Sequence, residues 1–193
     1  MAMMKKLLAF MAFSAMFVAG KAQAVSSFPY EPEFIGETNL LSIAGTDTVA
    51  APLEKSWGKI KSKAGASLYL TGIGSVKTRI HVDGVTSSCV AKPGCTYRLI
   101  VKAADNRQDP NSFIQLIRFE QKKKERRCEI GKINTFKGSS SGIEQLVDYQ
   151  AKRYGESSYL LSIDPGPGEY GVLQSNPESK DEKALMVYCF TVE

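Results

Sequence analysis

The sequence predicts an all-β protein: a single antiparallel β-sandwich-like or partly closed barrel domain with at most one short helix. Three observations carry this. Apolar residues beyond position 24 recur mostly with a period of two. Turn signals break the apolar runs every roughly ten to fifteen residues, and no long helical stretch lies between them. A parallel sheet would need crossover helices, so the pattern favours antiparallel pairing.

The chain opens with a stretch of export-signal character. Lys5 and Lys6 form a basic start, Leu7 to Ala19 an apolar run, and Ala22-Gln23-Ala24 a small-x-small cleavage site. Residues 1–24 are therefore expected to be removed as a signal peptide, leaving 25–193 as one β-rich domain. The apolar run, about thirteen residues, is short of the roughly 20 that span a bilayer. No Cys follows it to carry a lipid. The expectation is a soluble exported protein of a bacterial periplasm or exterior, with no transmembrane segment after cleavage. The net charge of +5, from 25 Lys and Arg against 20 Asp and Glu, becomes +2 once Lys5, Lys6 and Lys21 leave with the signal. That balance gives no indication of a nucleic-acid partner.

The expected elements follow in order. Leu53 to Ala64 reads two ways: Leu53, Trp57 and Ile60 make a helical face, whereas strand alternation sets Trp57 beside Lys55 and Lys59. Leu68 to Ile73 is a short apolar run ended by Gly74-Ser75. Thr78 to Val82 alternates, with Ile80 and Val82 on one face and Arg79 and His81 on the other, and Asp83-Gly84 signals a tight turn. Tyr97 to Val101, Phe113 to Phe119 and Cys128 to Ile133 are further strands, and Lys137 to Gly142 reads as a flexible loop. Val147, Tyr149 and Ala151 alternate toward a turn at Gly155, which favours a hairpin with Ser158 to Ile163 over a helix. Glu169 to Leu173 and Met186 to Val192 complete the set.

Cys89, Cys95, Cys128 and Cys189 all follow the signal, and an even count in an exported chain suggests two disulfides. Lys92-Pro93-Gly94 reads as a turn that would fold Cys89 onto Cys95, leaving Cys128 for Cys189. A zinc site is disfavoured, because no Cys-x-x-Cys pair is present and His81 is the sole His.

Little in the sequence points to catalysis. His81 would have to serve any Ser-His-Asp or Cys-His arrangement, and it falls mid-strand beside Arg79 on an apparent solvent face. No cofactor motif is complete: Gly72-x-Gly74 lacks the third Gly of a dinucleotide loop. Asp105, Asn106 and Asp109 place oxygen ligands for a hard cation in one loop, but without EF-hand spacing, and an Asx-rich turn explains them more simply. Lys122, Lys123, Lys124, Arg126 and Arg127 form the densest charge run. It is either a rim for an anionic polymer such as an acidic glycan, or a solvated strand connection guarding a sheet edge. Trp57, the only Trp, is expected in the core; exposed between Lys55 and Lys59, it would be a platform for a sugar ring or a partner's apolar patch. Phe28-Pro29-Tyr30 and Phe34 are expected to be buried.

Pro32-Glu33-Phe34-Ile35-Gly36-Glu37, Ala64-Gly65-Ala66-Ser67, Tyr154 to Tyr159, Pro167-Gly168-Glu169-Tyr170-Gly171 and Tyr188-Cys189-Phe190-Thr191-Val192 together resemble exported, uncharacterised bacterial β-rich proteins. The resemblance implies a β-sandwich-like domain and carries no catalytic residues. The expectation is thus a binding or structural accessory module of the envelope, with no cofactor, and an envelope glycan or protein as partner. A hydrolase acting on carbohydrate or another envelope polymer, using carboxylates such as Glu129, Asp164 or Glu169, is the alternative. An adhesin or assembly subunit pairing through a free sheet edge is the third reading.

Overall fold

The computed structural model describes residues 28–134, 138–141, 143, 145–175 and 184–193. The expected signal peptide over 1–24 lies outside them. The strands are β1 (Thr38–Ala44), β2 (Asp47–Pro52), β3 (Glu54–Ala64), β4 (Ser75–Asp83), β5 (Val90–Ala91), β6 (Thr96–Lys102) and β7 (Ile114–Gln121). They continue with β8 (Glu125–Asn134), β9 (Gly138–Ser141), β10 (Gln150–Tyr154), β11 (Ser158–Ile163), β12 (Gly168–Gln174) and β13 (Ala184–Val192). One short helix, α1 (Ala66–Thr71), joins β3 to β4.

Two sheets form. The order β12-β7-β8-β4-β3-β13 closes on itself, because β12 also pairs with β13, so these strands make a barrel. The other sheet is open, in the order β10-β11-β6-β1-β2. It covers one side of the barrel. Leu40, Leu99, Val101, Tyr159 and Leu161 pack there against Leu116, Tyr170, Val172 and Phe190, which point outward from β7, β12 and β13. Alternate residues of the same strands, with those of β4 and β8, fill the barrel: Ile80, Val82, Ile117, Phe119, Cys128, Leu173, Val187 and Cys189. Strands buried on both faces read as nearly continuous apolar runs, as in Phe113 to Phe119. Strands β3, β4 and β8 have no covering sheet; the outer face of β3 meets water, while those of β4 and β8 are partly shielded by their own ion pairs and by residues 145–147.

A closed barrel of so few strands is narrow, and two glycines admit it. A Cβ on Gly171 would lie 2.7 Å from a Phe119 ring carbon and 2.8 Å from a Val187 methyl; one on Gly58 would lie 2.9 Å from both Ile80 and Val187.

Several expectations change. Leu68 to Ile73 is not a strand. The chain there turns from β3 into β4, forms α1, and ends it at Gly72 in the left-handed conformation (φ 69°). Residues 138–141, expected as loop, pair with β8 as β9, while the rest of that stretch, Lys137 and Gly142, lies outside the described residues. The hairpin expected around Gly155 is present as β10 and β11.

The two disulfides are absent, and all four cysteines are free thiols. Topology explains this. Cys128 on β8 and Cys189 on β13 face one another from opposite walls: β4 and β3 separate them one way round, β7 and β12 the other. Cys89 is held on the barrel, its carbonyl accepting the Thr191 amide at 2.8 Å, and β5 runs along β13. Cys95 instead leads into β6 of the open sheet. The Lys92-Pro93-Gly94 turn therefore carries the chain from one sheet to the other and does not fold sulfur onto sulfur. Burial pushes the thiols of Cys128 and Cys189 up to about 12, and that of Cys89 upward. Native protein should take up one maleimide, at partly exposed Cys95, and three more only after unfolding. Failure to label the unfolded, unreduced chain would show that bridges do form.

Candidate functional site

The uncovered wall of the barrel is built on β3. Its alternation sends Gly58 and Ile60 inward and Lys55, Trp57, Lys59, Lys61 and Lys63 outward, all five exposed. Trp57 is 64% exposed, so the core position expected for it is corrected. Its ring has no place in the interior because inward-facing Gly58 fixes the parity of the strand. Across the ladder, Lys59 faces His81, Lys61 faces Arg79 and Lys63 faces Lys77. From Lys55 to Val82 the chain holds six Lys and Arg and no acid. Acids reach the face only from its surroundings: Glu37 pairs with Lys55, and Asp83 with Lys59 at 2.8 Å. Lys61 and Lys63 make no ion pair among the described residues.

A cleft of about 370 Å³ opens beside this row, lined by Lys77, Arg79, Glu120, Arg127, Glu129 and Gln145. It exists because β7 and β8 pair at only two positions, Glu120 with Arg127 and Gln121 with Arg126, and then diverge. The 145–147 stretch fills the gap: the Arg118 amide donates to the Gln145 carbonyl at 2.9 Å and the Glu129 amide to Gln145 Oε1 at 3.3 Å. Glu129 Oε2 accepts from Lys77 at 2.8 Å and from Arg79 at 3.2 Å, while Oε1 is buried with no hydrogen-bond partner among the described residues. Burial pushes the Glu129 carboxyl up, but Lys77 and Arg79 outweigh it and hold it below the usual range. Hydrogen bonds from Lys122 and Arg127 draw Glu120 down to about 2. Neither carboxyl carries a proton near neutral pH, so this pair lacks the raised-pKa acid of a glycosidase.

The other carboxylates named from sequence lie elsewhere. Asp164 is exposed in a loop, and Glu169 is 1% exposed inside one end of the barrel. There it accepts from Thr191 Oγ1 at 2.8 Å, from the Ser87 amide at 2.9 Å and from Arg126 at 3.4 Å. Arg126 also donates to Glu54 at 2.8 Å, and Glu54 accepts the Ser87 hydroxyl. The result is a buried polar plug closed over by the Ser87-Ser88 loop. Burial raises the Glu54 carboxyl, but its hydrogen bonds from Ser56, Ser88, Arg126 and Ser87 outweigh that and bring it to about 2.

The basic run of residues 122–127 is therefore divided. Lys122, Lys123 and Lys124 form the β7–β8 turn, Arg126 enters the barrel, and Arg127 faces the cleft. The oxygen-rich loop is a set of Asx turns, with Asp105 accepting the Arg107 amide at 2.9 Å and Asp109 the Asn111 amide at 3.0 Å. Asn106 turns away to brace the Gly155 and Ser158 carbonyls. No group of metal-ligating side chains occurs among the described residues. His81 is half-buried against Glu125, at 2.9 Å. Phe28, Tyr30 and Phe34 are exposed, with Phe28 edge-on to Tyr154.

Sequence reading missed Lys61, Lys63, Lys77 and Arg79 as one surface. The signal was available: lysines at 55, 59, 61 and 63 share one parity, and the stretch that follows is acid-free. Among the described residues no helix is long and apolar enough to cross a membrane. No family model, curated protein or solved structure matches this chain.

Proposed function

We propose that this chain is an exported binding module of the bacterial envelope that holds an acidic glycan on the uncovered wall of its barrel. One observation carries the reading: an exposed Trp57 set within a row of outward lysines. An indole face offers a flat apolar platform, and the lysines supply the potential that recruits a polyanion. Outward positions recur about every 7 Å along a strand, so Trp57 and Lys61 stand about 13 Å apart, a span suited to several sugar units. The cleft extends the row. Arg79 and Arg127, which line it, suit a sugar carboxylate.

Because Trp57 is the only Trp, its fluorescence reports directly on the site. Titration with a polyuronate should shift or quench the emission, and a neutral glucan should not. Trp57→Ala should weaken binding by about 1–2 kcal/mol, read by calorimetry. Binding should fall as salt is raised, since the exposed charges are then screened. Equal affinity for neutral and acidic polymers, or an unchanged Trp57→Ala variant, would overturn the reading.

A further inference from the structure

We infer that the tip of the β3–β4 hairpin docks on an anionic lipid bilayer, a function that goes beyond glycan binding. The tip displays Tyr69 at 80%, Leu70 at 84% and Ile73 at 50% exposure, and α1 buries none of its residues. A helix this short is not stable for its own sake, and apolar residues exposed on it contribute nothing to folding. They are also not scattered singly. They cluster at the end of a paired stalk, closed where Ala64 faces Val76 and the Gly65 amide donates to the Ser75 carbonyl at 2.9 Å.

Charge identifies the occupant. Immediately below the apolar tip, Lys61 and Lys63 point outward from β3 with no ion pair among the described residues, while Lys77, across from Lys63, is taken up by Glu129 and adds no net charge to them. No acid lies anywhere between these positions. Lys63 is three residues short of α1, about 10 Å down the stalk. An interfacial segment buries its apolar face about 5–10 Å into the headgroup boundary, which brings the lysine collar level with the lipid phosphates. Tyr69 suits the same depth, with its ring among acyl chains and its hydroxyl in the polar layer.

The test is sedimentation of the full mature chain with phosphatidylcholine vesicles, with and without phosphatidylglycerol. Binding should need the anionic lipid. Tyr69→Ser combined with Leu70→Ser should lower vesicle affinity by about tenfold with the thermal melt unchanged, because these side chains are solvent-exposed. Lys61→Glu combined with Lys63→Glu should lower it by at least about tenfold. Trp57→Ala should bind vesicles as the parent does, which separates failure of this inference from failure of the glycan reading. Three results would overturn it: no binding to phosphatidylglycerol vesicles; full binding by the Ser variant, which would leave only a general polyanion contact; or light scattering showing a dimer that Leu70→Ser dissociates, which would make a second copy the occupant.

Discussion

Arg126→Met is expected to lower the stability of the fold by about 3–5 kcal/mol, the cost of leaving buried carboxylates without their cation. For a domain of this size that corresponds to a fall in melting temperature of about 10–15 °C. Arg126 is 1% exposed and is the cation shared by Glu54 and Glu169 at the end of the barrel. Without it, the two carboxylates retain only neutral donors, from Ser56, Ser87, Ser88 and Thr191. The pH dependence gives a second readout. Arg126 is one of the four groups whose hydrogen bonds hold the Glu54 carboxyl at about 2, so its loss moves that carboxyl back toward the unfolded value. A carboxylate depressed in the fold contributes stability that is present above its unfolded pKa and is lost as pH falls toward its folded one. The deficit of Arg126→Met should therefore be full at pH 7 and shrink as pH falls from about 4.5 toward 2. Adding Glu54→Gln and Glu169→Gln should recover much of the loss, since neutral groups of the same shape need no cation. Chemical denaturation across that pH range checks all three. A loss below about 1 kcal/mol for Arg126→Met would mean that the plug is held by its serine and threonine hydrogen bonds alone.

The second large effect belongs to Gly171→Ala. One methyl group must fit between the Phe119 ring, 2.7 Å away, and a Val187 methyl, 2.8 Å away, inside a barrel that cannot widen without breaking its ladder. A cost of about 2–3 kcal/mol is expected, at the upper end for overpacking, because side chains on two other strands must move together. Gly166→Ala is the control: nothing lies within 4 Å of its Cβ position, and its melting temperature should stay near that of the parent. If both variants melt alike, the barrel interior is looser than its contacts imply.

The fold class was legible because period-two alternation survives wherever one strand face is wet, as in Thr78 to Val82. A partly closed barrel was among the expected architectures, but which strands close it was not legible. Closure depends on β12 pairing with β13 as well as β7, and nothing local in Glu169 to Leu173 marks a strand with two partners. The disulfide expectation failed for the same reason, since spacing along the chain says nothing about which wall a cysteine occupies. Parity was the underused signal. Cys128 and Ile130 facing inward require Arg126 to face inward too, although its charge argues for solvent. Likewise Gly58 facing inward turns Trp57 outward against its usual preference. At both positions the strand's alternation overrode residue type, and these are the positions that define the plug and the candidate face.

The place of β13 in the barrel bears on when this protein can fold. It is the last of the described strands, yet it pairs with β3, β5 and β12, and its Thr191 holds Ser87, 104 positions earlier, in the plug. A chain emerging N-terminus first presents β3, which ends at Ala64, long before β13, which begins at Ala184, exists to pair with it. Until β13 has emerged, the cylinder has an open seam with unpaired backbone groups, and the Ser87 loop lacks one of its anchors. Closing the barrel is then a late event, with the slow kinetics of distant strand pairing.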